Sequence, residues 1–125
     1  MATKPADYLR ALAIQRIEEA LADKLSFDAI YSQSDSMAIG AILALKKAGL
    51  DPKKIPITGI DYIGEAREAI RAGELDASFT YPTFGKEGAE AALRLLRGGK
   101  PERKEVMIDS TPVTRANVDK VAPVF

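Results

Sequence analysis

Apolar positions along the chain alternate between two rhythms. Leu9, Ala13, Ile17, Ala20 and Leu21 recur at three- and four-residue spacing, with Arg10, Arg16, Glu18, Glu19 and Asp23 elsewhere. This predicts an amphipathic helix over residues 6–23, with Pro5 able to sit in its first turn. Asp28-Ala29-Ile30-Tyr31 is then a short apolar-rich run ahead of the polar Ser32-Gln33-Ser34-Asp35-Ser36. Too short for a helix, it reads as a buried strand. Met37, Ala38, Ile39, Ala41, Ile42, Leu43, Ala44 and Leu45 follow, so the helix expected over 36–48 is buried over much of its circumference. Ser34 or Asp35 can cap it, Lys46 and Lys47 suit the negative end of its dipole, and Gly49 before Leu50 supplies a left-handed stop.

The plan repeats down the chain. Residues 55–60 read as a strand, with Pro56 tolerable only near its start, and residues 64–71 as a short helix stopped at Gly73. Leu75, Ala77, Phe79 and Tyr81 alternate with Asp76, Ser78 and Thr80, the period of a strand with one well-buried face. Residues 85–97 are expected to be helical, with Ala89, Ala92, Leu93 and Leu96 as the apolar stripe and Gly98-Gly99 as the break. The spacing of Gly85 and Gly88 suggests tight helix packing. Residues 105–109 read as a final strand closed by Pro112, and Thr114 can cap a last short helix. Helices and strands in alternation, joined by short connections, imply an α/β fold: a three-layer α/β/α arrangement around a mainly parallel sheet, flavodoxin-like, because parallel strands need helical crossovers.

Composition narrows the chemistry. A chain of 125 residues suffices for one domain with a real core. Lys plus Arg balance Asp plus Glu at 18 each, so charge does not favour nucleic acid as a partner. Cys and His are both absent. That removes disulfides, the usual zinc sites, thiol nucleophiles and imidazole bases, and no cofactor or metal is expected. The first ten residues, MATKPADYLR, contain no apolar core of a signal peptide, so the chain as given is expected to be neither exported by itself nor anchored.

Ligands of open α/β sheets sit beyond the carboxyl ends of the strands. Ser34, Asp35, Asp61 and Tyr81 all fall there and are the candidate ligand-binding residues. A carboxylate such as Asp61 can accept from two neighbouring hydroxyls, and Tyr81 can donate from its hydroxyl or stack on a ring. Each also has a plainer reading. Asp35 can be a helix cap, Asp61 can cap the helix starting near Ile63, and Tyr81 can be a strand-end aromatic over the core.

Three blocks carry a family resemblance: AIYSQSDSMAIGAILALKKAG; ITGIDYIGEAREAIRAGELDASFTYPT; and GKEGAEAALRLLRGGK with VTRANVDKV near the end. The chain resembles the C-terminal lobe of periplasmic sugar-binding proteins of the ribose-binding type, whose fold is shared by the effector domains of LacI-type repressors. The resemblance implies a non-enzymatic, periplasmic or extracellular binding component of a sugar ABC transporter. Its partners would be a monosaccharide or related polyol, an N-terminal lobe not present in these residues, and the ABC permease. In the family the first block usually reads Gln-Asn-Asp, with the Asn on sugar hydroxyls; Ser34 stands there, shorter and with one donor where the amide has two. The Asp of the second block is a ligand carboxylate in the family and is kept as Asp61. A third ligand, often Gln, corresponds to Tyr81.

The resemblance also implies that the helix 85–97 belongs against the other lobe. Its stripe is then expected either to fold back on this sheet or to exchange with a second copy in a homodimer. Two other readings stay open: the effector half of a LacI-type regulator, or a receiver-like or enzymatic domain using Asp61 or Asp35. The terminal NVDKVAPVF looks more like the tail of a transport binding protein.

Overall fold

The computed structural model describes residues 2–100 and 105–124. Its elements run α1 (Arg10–Ala22), β1 (Ile30–Tyr31), α2 (Asp35–Lys47), a 3-10 turn (Pro52–Lys54), β2 (Ile57–Thr58), α3 (Gly64–Ala72), β3 (Ala77–Phe79), α4 (Gly85–Leu96) and β4 (Pro112–Thr114). The strands make one sheet in the order β1-β2-β3-β4. β1 and β2, and β2 and β3, pair in parallel, while β4 pairs with β3 antiparallel. The expected α/β class with a mainly parallel sheet therefore holds.

The core forms where α2, α3 and the sheet meet. Leu45, Ile57, Tyr62, Ile70, Leu75 and Val113 are fully buried, with Ala38, Ile42, Ala66 and Val118 around them. α1 packs along α2 at close range: a Cβ added at Gly40 would lie 2.7 Å from the Arg10 carbonyl and 3.0 Å from the Ala13 Cβ. α2 ends as the sequence predicts. Gly49 takes φ 74° and the Leu50 N–H closes on the Leu45 carbonyl at 2.9 Å, satisfying a carbonyl that the helix end would leave open.

Several expectations are corrected. α1 starts at Arg10 rather than residue 6, because Asp7 and Tyr8 turn left-handed at φ 48° and 59° and Pro5 stays outside the helix. The strand expected at 105–109 is irregular chain. Val106 and Met107 are exposed, and the strand forms instead at Pro112–Thr114, running antiparallel. Pro112 opens that strand rather than closing one; as an outer strand it can lack one N–H. After Thr114 the chain makes hydrogen-bonded turns, not a helix. The asparagine side chain explains this: Asn117 Oδ1 accepts from the Thr114 N–H at 2.8 Å and its amide donates to the Pro112 carbonyl at 2.9 Å. The last residue of the tail, Phe125, lies outside the described residues.

β3 inverts part of its expected pattern. Leu75 is buried, yet Phe79 and Tyr81 are exposed and the polar Ser78 is fully buried. Gly85 and Gly88 are not packing contacts, since a Cβ at either would meet nothing within 4 Å. α4 does not fold back on the sheet: none of its residues is buried, and Leu96 is 83% exposed.

Candidate functional site

The rim at the carboxyl ends of β1, β2 and β3 is laced together by backbone. The Ser32 N–H donates to the Thr58 carbonyl at 2.9 Å, the Asp35 N–H to the Ile60 carbonyl at 2.7 Å, and the Asp61 N–H to the Phe79 carbonyl at 2.9 Å. Asp61 also forms a parallel bridge with Thr80. Ser34, Asp61 and Tyr81 thus end three adjacent strands on one edge of the sheet.

Their environments differ. Ser34 is buried and is the N-cap of α2, its Oγ accepting from the Met37 N–H at 3.3 Å. Its own carbonyl accepts from Ser32 Oγ at 2.8 Å. Asp61 is half-buried, and burial raises its carboxyl above the ordinary value of 3.8, opposed by the Asp35 backbone N–H. It does not cap α3, whose N-cap Ile63 has no side-chain cap bond. Tyr81 is 57% exposed and meets Phe84 edge to face, with ring centroids 6.4 Å apart. It does not cover the core, and an aromatic pair stands at the rim.

Asp35 sits below these residues. It is the first residue of α2, yet its side chain does not cap that helix and is fully buried. Ser78 Oγ, with a single proton, lies 2.8 and 2.9 Å from its two carboxylate oxygens, and the Ile63 N–H donates to Oδ2 at 3.0 Å. The Tyr62 N–H in turn donates to Ser78 Oγ at 3.1 Å. Burial pushes the Asp35 carboxyl up to about 6, against these hydrogen bonds, which favour the charged form. Sequence reasoning missed Ser78, since an alternating strand assigns a serine to the solvent face. It also missed Gly59, where a Cβ would fall 2.1 Å from Asp35 Oδ1.

Arg10 at the start of α1 pairs with Glu65 in the first turn of α3, and Tyr8 just before it is 65% exposed with a left-handed backbone.

Among the described residues no cluster of acidic side chains is suited to a metal ion, and no helix is long and apolar enough to cross a membrane. The rim offers hydroxyl and carboxylate groups beside aromatic faces, a set that suits a neutral polyhydroxylated molecule.

A family model described as a periplasmic binding protein domain matches residues 2–101. The chain is 39% identical over 115 residues to a putative rhizopine-binding protein of Rhizobium meliloti, covering 90% of this chain and 37% of that one. It is 34% identical over 106 residues to the ribose import binding protein of Haemophilus influenzae, covering 83% and 35%. The solute binding protein of an ABC transporter from Bacillus halodurans, solved with bound myo-inositol, superposes with a TM-score of 0.82 at 29% identity, covering 92% of this chain and 40% of that one. The chain thus spans a little over a third of the length of the curated relatives it matches. These relatives are binding proteins rather than enzymes, and the chain belongs to the periplasmic binding protein domain family.

Proposed function

We propose that this chain is equivalent to the C-terminal lobe of a two-lobed sugar-binding protein and supplies one wall of the site for a monosaccharide or cyclic polyol, delivered to an ABC permease from the periplasm or cell exterior. The observation that carries this reading is the half-buried Asp61 carboxylate, flanked on the sheet edge by the strand ends bearing Ser34 and Tyr81. Partly removed from water, such a carboxylate accepts strongly from adjacent hydroxyls. Tyr81 offers an aromatic face, with Phe84 edge to face beside it. Ser34 has its hydroxyl proton and one lone pair left to offer, because the other lone pair accepts from the Met37 N–H at the α2 cap. Asp35 has no lone pair turned to solvent and belongs beneath the site.

The unburied α4 fits a segment that packs against the other lobe. In this chain alone a second copy is the available cover, which sedimentation can detect. One wall supplies part of the contacts and cannot close around a guest, so binding by this chain alone is expected near ~1 mM, about 4 kcal/mol.

Titrating the chain with ribose, allose and myo-inositol under amide NMR tests the reading. Shifts confined to residues near 34, 61 and 81, abolished by Asp61→Ala without loss of fold, are the expected outcome. No site-specific shift with any of the three would overturn it, and calorimetric binding at micromolar strength would overturn the one-wall account.

A further inference from the structure

Asp61 and Tyr62 occupy backbone conformations that side chains rarely adopt, φ 114° and 55° in succession. Two such residues cost of order 1–3 kcal/mol each and persist only where the surroundings hold them. The holding groups are visible. The Tyr62 N–H is taken by Ser78 Oγ and the Ile63 N–H by Asp35 Oδ2, while Asp35 reaches back to the same loop through its own N–H to the Ile60 carbonyl. Asp35 and Ser78 are both fully buried, on different elements and 43 positions apart. Gly59 leaves the space that the Asp35 carboxylate occupies. On the other side, the Tyr62 ring is buried and its hydroxyl lies 3.1 and 3.0 Å from the Val118 and Val121 carbonyls, fixing the next residue to the tail.

A buried carboxylate at the start of a helix is an expensive way to satisfy one loop amide and a serine hydroxyl if packing alone were required. Its distinctive effect is geometric. With Ser78 it holds two consecutive amides inward, which leaves residue 61 turned toward the rim at the end of β2. We propose that Asp35 and Ser78 are positioning residues for the Asp61 carboxylate: together they impose the left-handed turn at residues 61–62 that presents Asp61 to the ligand. The inference rests on the reading of Asp61 as a ligand group. It adds that the aim of this group is set from a different strand end through a buried relay, Asp35 to Ser78 to the Tyr62 amide.

The test uses the full chain, Asp35→Asn, Ser78→Ala and Asp61→Asn. In the unaltered chain, amide exchange at Tyr62 and Ile63 is expected to be slowed at least ~100-fold relative to an unstructured peptide, the behaviour of buried hydrogen-bonded amides. Exchange there as fast as in a free peptide overturns the proposal, whatever the variants do. In Asp35→Asn and Ser78→Ala, the NH–Hα couplings and carbon shifts of residues 61 and 62 are expected to leave left-handed values, with spectra of α1 and β1 unchanged. The dissociation constant for myo-inositol or ribose is expected to rise about tenfold, a change of ~1.4 kcal/mol. Asp35→Asn placed on Asp61→Asn is expected to weaken binding no further. Retention of the left-handed turn with binding changed less than about twofold overturns the positioning role. If Asp61→Asn itself leaves binding unchanged, the ligand reading fails instead, and the couplings still decide whether the relay holds the turn.

Discussion

At the scale of single residues, Asp35 is the group whose behaviour departs most from its type. Its carboxyl rises from 3.8 to about 6, with burial as the leading cause and the neighbouring Asp61 charge adding to it. The folded protein therefore holds a proton on Asp35 that the unfolded chain has released, and the stability linked to this group is fully present below about pH 4 and is lost as pH rises through about 6. Wild type is expected to gain about 2 kcal/mol relative to Asp35→Asn as pH falls from about 7 to about 4, measured by urea unfolding of both proteins. The comparison with the variant matters, because Glu19 and Glu65, held low by Arg16 and Arg10, push the other way in the protein as a whole. A gap between the two proteins that shrinks in the opposite direction would show that hydrogen bonds from Ser78 and Ile63 outweigh burial.

At the scale of elements, two glycines on helices make opposite forecasts. Gly40 on α2 sits against the first turns of α1, where an added methyl meets a carbonyl at 2.7 Å. Gly40→Ala is expected to destabilise the chain by about 1–3 kcal/mol, the usual cost of overpacking a rigid contact, outweighing the better helix propensity of alanine. Gly88 on α4 has nothing within 4 Å, and Gly88→Ala is expected to raise helicity and favour α4 by about 0.5–1 kcal/mol. Circular dichroism with chemical denaturation of both variants distinguishes them; equal and opposite results would place the tight contact on the wrong helix. The Gly85 and Gly88 spacing suggested packing and Gly40 did not stand out, because spacing within one helix says nothing about which helix lies alongside.

At the scale of the whole molecule, the apolar surface is unevenly covered. The core between α2, α3 and the sheet is closed over, whereas Leu93, Leu95 and Leu96 on α4 and Val106 and Met107 beyond it stay exposed. Because no α4 side chain is buried, Leu93→Lys and Leu96→Lys are expected to change the unfolding free energy by less than about 0.5 kcal/mol. The same changes are expected to abolish any concentration-dependent rise in sedimentation coefficient. A large loss of stability in dilute solution would mean that α4 docks on its own sheet after all.

How much was legible beforehand follows from what each signal measures. Periodicity reports burial around a single element, and it located α2, α3, α4 and the parallel strands because their apolar faces or short apolar runs are continuous in sequence. The glycine stops at residues 49 and 73 were equally local. The placement of Ser34, Asp61 and Tyr81 at strand ends followed from the parallel order alone, since every strand of that kind ends on the same side of the sheet. Tertiary structure alone decided the rest. Ser78 faces inward because a carboxylate 43 residues away and a loop amide satisfy it. β4 forms at Pro112–Thr114 rather than at 105–109 because antiparallel pairing with β3 and the Asn117 clasp fix it there. The apolar stripe of α4 remains open because a stripe states what needs burial without naming the surface that buries it. Local sequence thus determined the helices α1 to α4, the three parallel strands and where the rim lies, while contacts between distant residues determined the last strand, and which side chains at that rim are exposed and which are held beneath it.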